Sequence, residues 1–262
     1  MTKVLLTTRN KLMQEIIRVI RDSLLPDEFE TVCVKLEPTI FKIFGINKIS
    51  SIYYELKIKR SHFQEYPDIS APIKISVLTS DLKRLLLSAL SEKLTELRSI
   101  EFSINPPTLD LTVAGAHSTL RESIREASDG IREEPPYFTN INFETFPHCE
   151  IDSPKDLRVI FEHFTHVLGR GDITPIAITL KEGKIEFALK TETKPTDTIS
   201  GQGTGEARTY ITSHSFKVIA KISDKATKAQ IYVKDKGNII IKYSFDFGTL
   251  EYLVSKTTMP TK

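Results

Sequence analysis

One stretch of this chain occurs twice, and a duplication constrains a fold more than any single element does, because both copies must bury the same faces. The first copy is Val77-Leu-Thr-Ser-Asp-Leu-Lys-Arg-Leu-Leu-Leu-Ser-Ala-Leu-Ser-Glu-Lys, and the second is Tyr210-Ile-Thr-Ser-His-Ser-Phe-Lys-Val-Ile-Ala-Lys-Ile-Ser-Asp-Lys. Thr79-Ser80 answers to Thr212-Ser213, and Leu82-Lys83 to Phe216-Lys217, with one extra residue in the second copy. Each copy runs through an apolar and basic helix into two extended segments. These are Ser99-Ile-Glu-Phe-Ser-Ile and Thr108-Leu-Asp-Leu-Thr-Val in the first, and Ala229-Gln-Ile-Tyr-Val and Asn238-Ile-Ile-Ile-Lys-Tyr-Ser-Phe in the second.

What precedes each copy is also matched. Val4-Leu-Leu-Thr is a short strand, and residues 10–24 place Leu12, Ile16, Ile17, Val19 and Ile20 at helical spacing, with Asn10 as N-cap and Pro26 as terminator. Residues 31–44 read as a hairpin around Glu37-Pro38, followed by strands at 51–58 and 73–77. In the second half, Cys149-Glu-Ile-Asp is strand-like. Ser153 and Pro154 open a helix with the stripe Leu157, Ile160, Phe161, Phe164 and Leu168. Residues 175–189 form a hairpin turning at Glu182-Gly183. Residues 117–147 carry sparse apolar periodicity, Gly130 and three prolines, which marks a connector. Residues 191–204, rich in Thr, Pro and Gly, read as a loop, and 256–262 as a disordered tail. The expected division is 1–116, a first unit; 117–147, the connector; and 148–255, a second unit. The fold class is α+β, each unit carrying two helices on antiparallel sheet.

The chain of 262 residues has no apolar run long enough to span a bilayer, and its first residues lack a signal-peptide core. Its two cysteines, Cys33 and Cys149, have no metal or redox spacing, which fits a reducing compartment. The net charge is only +2, so any electrostatic role must come from how charge is distributed. That distribution is uneven: Lys11, Arg18, Arg21, Lys83, Arg84, Lys93, Lys155, Arg158, Lys217, Lys221 and Lys225 fall on outward positions of the four helices. A single such lysine is ordinarily a solvated side chain. A recurrent basic face in a nearly neutral protein suits the phosphate backbone of a nucleic acid, bound without reading sequence.

The duplicated unit with helices at these positions resembles the DNA sliding clamps related to proliferating cell nuclear antigen. Within them it is most similar to the Hus-type subunit of the nine-one-one checkpoint clamp. Three places carry the resemblance: residues 50–66, with Tyr53-Tyr54 and Phe63; Ile75-Ser-Val-Leu-Thr-Ser-Asp-Leu-Lys; and the closing strands 225–254 with Tyr252-Leu253. The resemblance implies the DNA clamp fold and a ring of three subunits closed by pairing of edge strands. The helix cations named above would be the DNA-facing residues. Its implied partners are two other clamp subunits of different sequence, duplex DNA, an ATP-driven clamp loader, and checkpoint and repair proteins docking outside near the connector. It further implies a nuclear location, no enzymatic activity and no cofactor, metal or membrane partner. Val254-Ser255-Lys256 lacks the proline that follows the last strand in the family, and the chain is not acidic as many replication clamps are. These departures favour the checkpoint clamp over its alternative, a homotrimeric replication processivity factor.

Other patterns carry less. Gly201-Gln-Gly-Thr-Gly205 superficially resembles a phosphate loop but has no following Lys-Ser/Thr, so an enzyme centred on residues 191–210 is a third reading. His163 and His166 are three apart on a helix without an evident third ligand. Arg170-Gly-Asp172 has meaning only outside the cell. Asp152, Asp156 and Glu162 fit helix capping and surface charge as well as they fit catalysis.

Overall fold

The computed structural model describes residues 2–7, 11–89, 97–115, 117–131, 133–135, 140–167, 174–189 and 195–257. The chain divides into two units. One comprises Met1–Lys48, Glu55–Pro135 and Asp246–Gly248; the other comprises Ile49–Tyr54, Pro136–Phe245 and Thr249–Lys262.

The first unit runs β1 (Thr2–Thr7), α1 (Lys11–Ser23), β2 (Thr31–Leu36), β3 (Ile40–Ile46), β4 (Ile52–Lys59), β5 (Ile73–Leu78), α2 (Thr79–Ala89), β6 (Ser99–Asn105), β7 (Thr108–Ala114) and β8 (Thr119–Arg125). Its strands are ordered β1-β6-β7-β8 in one sheet and β4-β3-β2-β5 in the other. The second unit runs β9 (His148–Ile151), α3 (Lys155–Val167), β10 (Pro175–Lys181), β11 (Lys184–Leu189), β12 (Thr196–Ser200), β13 (Gln202–Thr204), β14 (Glu206–Thr212), α4 (Ser213–Ala220), β15 (Lys228–Val233), β16 (Ile239–Phe245) and β17 (Gly248–Val254). Here the orders are β9-β15-β16-β17, with β13 outside β9, and β12-β11-β10-β14. Helix for helix, and strand for strand apart from β13, the second unit repeats the first.

Smaller features repeat too. In the first unit the chain beyond β4 returns to β1, where Gln64 N–H donates to Leu5 O at 2.8 Å. In the second unit β13 returns to β9 in the same way, with Gly203 opposite Cys149. Thr79 N–H donates to Glu30 O at 3.0 Å, and Ser213 N–H to Thr174 O at 2.8 Å, each acceptor standing just before its unit's first hairpin strand. The equivalent residues are therefore Thr79 and Ser213. The two helices align without the extra residue that the Thr-Ser pairs suggested, because Thr212 is the N-cap, its Oγ1 accepting from Ser215 N–H at 3.0 Å. Leu82 and Phe216 then coincide, and both are fully buried.

The cores follow from periodicity. On α1, Met13, Ile16, Ile17, Val19 and Ile20 are buried, spaced to form one stripe. Phe41 of β3 meets Phe102 of β6 with ring centroids 5.3 Å apart, closing the space between the first unit's sheets. In the second unit Phe216 stacks on Phe187 at 5.2 Å and neighbours Phe161 and Phe164. Each buried phenylalanine contributes on the order of 2–3 kcal/mol of transfer free energy. Leu157, Ile160 and Phe164 of the expected α3 stripe are buried and Phe161 is half-buried, while Leu168 lies outside the described residues.

Three expectations need correction. Residues 117–147 are not all connector, since Thr119–Arg125 is the edge strand β8 of the first unit. One of its faces is exposed and the other offers only Leu120, Glu122 and Ile124, so an edge strand looks like polar linker in sequence. Within 191–204, residues Thr196–Ser200 and Gln202–Thr204 are strands. Their glycines reflect close approach: a Cβ on Gly203 would lie 2.0 Å from His148 O, and one on Gly201 2.1 Å from Glu150 O. In the tail, Lys256 N–H donates to Asn238 Oδ1 and Thr257 N–H to Tyr210 O, so these two residues are ordered. The hairpin turn at Glu182-Gly183 stands as expected, with φ of 48° and 75°. Asn10, the segment Arg170-Gly-Asp172 and residues 258–262 lie outside the described residues.

Candidate nucleic-acid interface

In each unit the two helices pack side by side, α1 with α2 and α3 with α4. Each buries its apolar stripe on the sheets and turns the remaining positions outward. The structure sorts the expected cations by what they touch.

Arg18 of α1, Lys155 of α3, Lys217 of α4 and Lys221 just beyond it are exposed. None of the four makes an ion pair among the described residues. Lys217 and Lys221 share one face of α4 with the exposed His214, whose helical spacing is plain in sequence but escapes a search for lysine and arginine alone. The other cations are engaged. Arg21 holds Asp22 with two bonds, Nε at 2.6 Å and Nη2 at 2.8 Å. Its guanidinium is held above the usual arginine range chiefly by that hydrogen bond. Lys83 Nζ donates to Leu24 O at 2.8 Å, just past the end of α1, where helix carbonyls attract cations. Arg84 is exposed and lies 3.6 Å from Asp81 and 3.8 Å from Glu122. Arg158 bonds Glu162 and Asp224, both at 2.9 Å. Lys225 lies 3.7 Å from Asp224. Lys93 and the side chain of Lys11 lie outside the described residues.

The outward face of the second unit is thus mixed on α3 and cationic on α4. The first unit presents Arg18 beside Gln14 on α1, and Arg84 beside Leu87 on α2. Such faces can hold phosphates through long, mobile ammonium and guanidinium groups, contacts that position a backbone without reading sequence. Binding of this kind weakens steeply with salt.

The two histidines of α3 have different surroundings. His163 Nδ1 lies 2.6 Å from Asp197 Oδ2 on β12, and His166 is exposed without joining it. No group of three metal-ligating side chains occurs among the described residues. Asp156, in the first turn of α3, accepts from Ser153 Oγ at 3.2 Å. No described helix is long and apolar enough to cross a membrane. Cys33 and Cys149 are free thiols; burial pushes Cys33 up to about 12 and Cys149 upward as well, so neither is a poised nucleophile.

No family model and no curated protein matches the chain. Solved structures do. It is similar to a chain of the PCNA2-PCNA3 complex from Sulfolobus tokodaii, with 14% identity over 97% of this chain and 98% of that one, at a TM-score of 0.75. It is similar also to proliferating cellular nuclear antigen from Entamoeba histolytica, with 12% identity over 98% of this chain and 99% of that one, at a TM-score of 0.75. At these identities the likeness is one of fold. The chain has the α+β sliding-clamp fold over nearly its whole length.

Proposed function

We propose that this chain is a non-enzymatic subunit of a ring-shaped clamp that encircles duplex DNA without sequence specificity. The observation that carries the reading is the clamp fold over the whole chain, combined with exposed cations, Arg18, Lys155, Lys217 and Lys221, on helices of both units. Arg84, Lys83, Arg21, Arg158, Lys225, Lys11 and Lys93 complete the proposed DNA-facing set. Those already paired contribute less, since their neighbours' charges cancel part of theirs.

Two strands suit ring closure. β8 and β12 each end a sheet. Leu189 N–H donates to Pro195 O, so 187 with 197 and 185 with 199 are the bonded pairs of β11 and β12, and Thr198 turns its N–H away. By the same alternation from Glu126 N–H to Pro107 O, Arg121 and Ser123 of β8 turn theirs away from β7. Pairing of such edges between subunits would remove two exposed templates for aggregation.

Within the clamps we favour the checkpoint type: a heterotrimer with two unlike subunits, placed on DNA by an ATP-driven loader, acting in the nucleus and recruiting checkpoint and repair proteins. The resemblance of the three segments and the near-neutral charge support it. The homotrimeric processivity factor is the second reading: one solved relative is named as a proliferating cellular nuclear antigen, whereas the other is a complex of two clamp chains, PCNA2 and PCNA3. Native mass separates them. A chain that stays monomeric alone and forms a three-chain complex only with unlike clamp subunits supports the first; a homotrimer on its own overturns it.

A further inference from the structure

Three lysines form a row across neighbouring strands of the first unit. Lys35 of β2 stands opposite Lys42 of β3 on one side and opposite Lys74 of β5 on the other. Directly opposed like charges destabilise a sheet, and neighbouring strands are only about 4.8 Å apart, so such a row needs counter-charge. The sheet supplies some of it. Glu37 lies 2.7 Å from Lys35 and 3.4 Å from Lys42. Glu55 of β4, 1% exposed, lies 3.5 Å from Lys42 and also pairs with Lys57.

The rest comes from the segment after β8. Glu134 Oε1 accepts from Lys35 Nζ at 2.8 Å and from Lys42 Nζ at 3.2 Å, with Lys42 only 8% exposed. Glu133 lies 3.7 Å from Lys74 at the open end of the row. The same segment touches the sheet through Ala127 N–H on Ser76 O at 2.8 Å and Ile131 N–H on Thr31 Oγ1 at 3.4 Å. Gly130 sits so close that a Cβ there would lie 2.0 Å from Ser76 Oγ. Among its described residues, 127–131 and 133–135, none is buried. These contacts of the strap are polar, and Ala127, Gly130, Ile131, Glu134 and Pro135 are half-buried.

We infer that the lysine row Lys74-Lys35-Lys42 is a binding site for an acidic peptide segment of a partner protein, and that Glu133 and Glu134 of the strap occupy it in cis as a competing ligand. The occupant is already a peptide carrying spaced carboxylates. Glu37 and Glu55 beside the lysines would repel a continuous phosphate backbone but leave room for isolated carboxylates. A strap with no buried residue among those described can be displaced at modest cost, and while it lies in place it lowers the apparent affinity of any rival by the fraction of time the row is open. The inference concerns one unit of one chain and is independent of the ring.

The test is fluorescence anisotropy of a labelled hexaglutamate peptide at low ionic strength on the full chain. The E133Q/E134Q variant is expected to bind about tenfold or more tightly than the unaltered chain. Adding K35Q/K42Q should abolish the gain. Folding of each variant is checked by circular dichroism and thermal unfolding. A folded E133Q/E134Q variant that binds no better overturns the inference, as does one that binds a single-stranded oligonucleotide as tightly as the peptide. In the unaltered chain, saturating peptide should raise hydrogen exchange across 127–131. Unchanged exchange there, with peptide bound, overturns the competition between strap and peptide.

Discussion

Arg158 of α3 donates from Nη1 to Asp224 Oδ2 at 2.9 Å, tying the helix to the turn that follows α4. The same guanidinium donates from Nε to Glu162 at 2.9 Å, so its charge is shared between two carboxylates. Its position in sequence marks Arg158 as a DNA-facing cation equal to Lys217, but its surroundings do not.

Substitution should separate the two kinds of cation. Lys217→Glu with Lys221→Glu is expected to weaken retention on closed circular duplex strongly, and to lower the salt slope by roughly one for each phosphate left without its cation. Arg158→Ala should change retention much less. Equal losses in a salt-titrated binding assay would show that the pairing of Arg158 does not matter.

Ring closure through β12 predicts a specific lesion. Thr198→Pro removes an N–H that points away from β11 and leaves that ladder's own bonds in place. The variant should keep its fold by circular dichroism and fail to enter the three-chain complex when its mass is measured by light scattering.

Phe216 is fully buried against Phe187, Phe161 and Phe164. Phe216→Ala should destabilise the second unit by about 3–5 kcal/mol, read from urea unfolding. Leu82→Ala, at the equivalent place in the first unit, should cost about 2–5 kcal/mol.

Gly203 lies against the His148 carbonyl, where a Cβ would approach to 2.0 Å. Gly203→Ala should force β13 off β9 and cost roughly 1–3 kcal/mol. A phosphate loop would show its defect in nucleotide binding with stability unchanged, so calorimetry and thermal unfolding together decide between the two roles.

Acid should release the strap. Burial pushes Glu134 and Glu37 upward, but hydrogen bonds from Lys35 and the nearby charge of Lys42 outweigh it, and both carboxyls sit below their ordinary value. A carboxyl depressed by folding stabilises the fold above its unfolded-state value, and that contribution is lost as pH falls through the folded-state value. Hydrogen-exchange protection across 127–131 should therefore hold at neutral pH and fail below the ordinary carboxylate range. The E134Q variant should show a smaller change over the same interval.

The duplication was legible because it is written in periodicity. Helical stripes such as Ile16, Ile17, Val19 and Ile20, and the hairpins at 31–44 and 175–189, need only local spacing to be recognised, whereas the first position of the α1 stripe is Met13 and not the half-buried Leu12. From that the α+β class, the two-unit organisation and the four helices follow. Edge strands were not legible. β8 and β12 alternate but bury only Ile124 and Ile199, so the apolar signal that betrays a strand is weak, and pairing with β7 and β11 makes them strands. Nor could sequence say which cations are already engaged. Lys83 bonds a carbonyl 59 residues away and Arg158 a carboxylate 66 residues away, whereas Lys217 and Lys221 meet no carboxylate among the described residues. The lysine row is the clearest case: Lys35, Lys42 and Lys74 are scattered in the chain and become neighbours through strand register, and Glu134 joins them from 99 residues beyond Lys35. Side-chain period is a local property that one sequence carries by itself. Charge pairing at these distances depends on where the chain returns, which only the packed sheets decide.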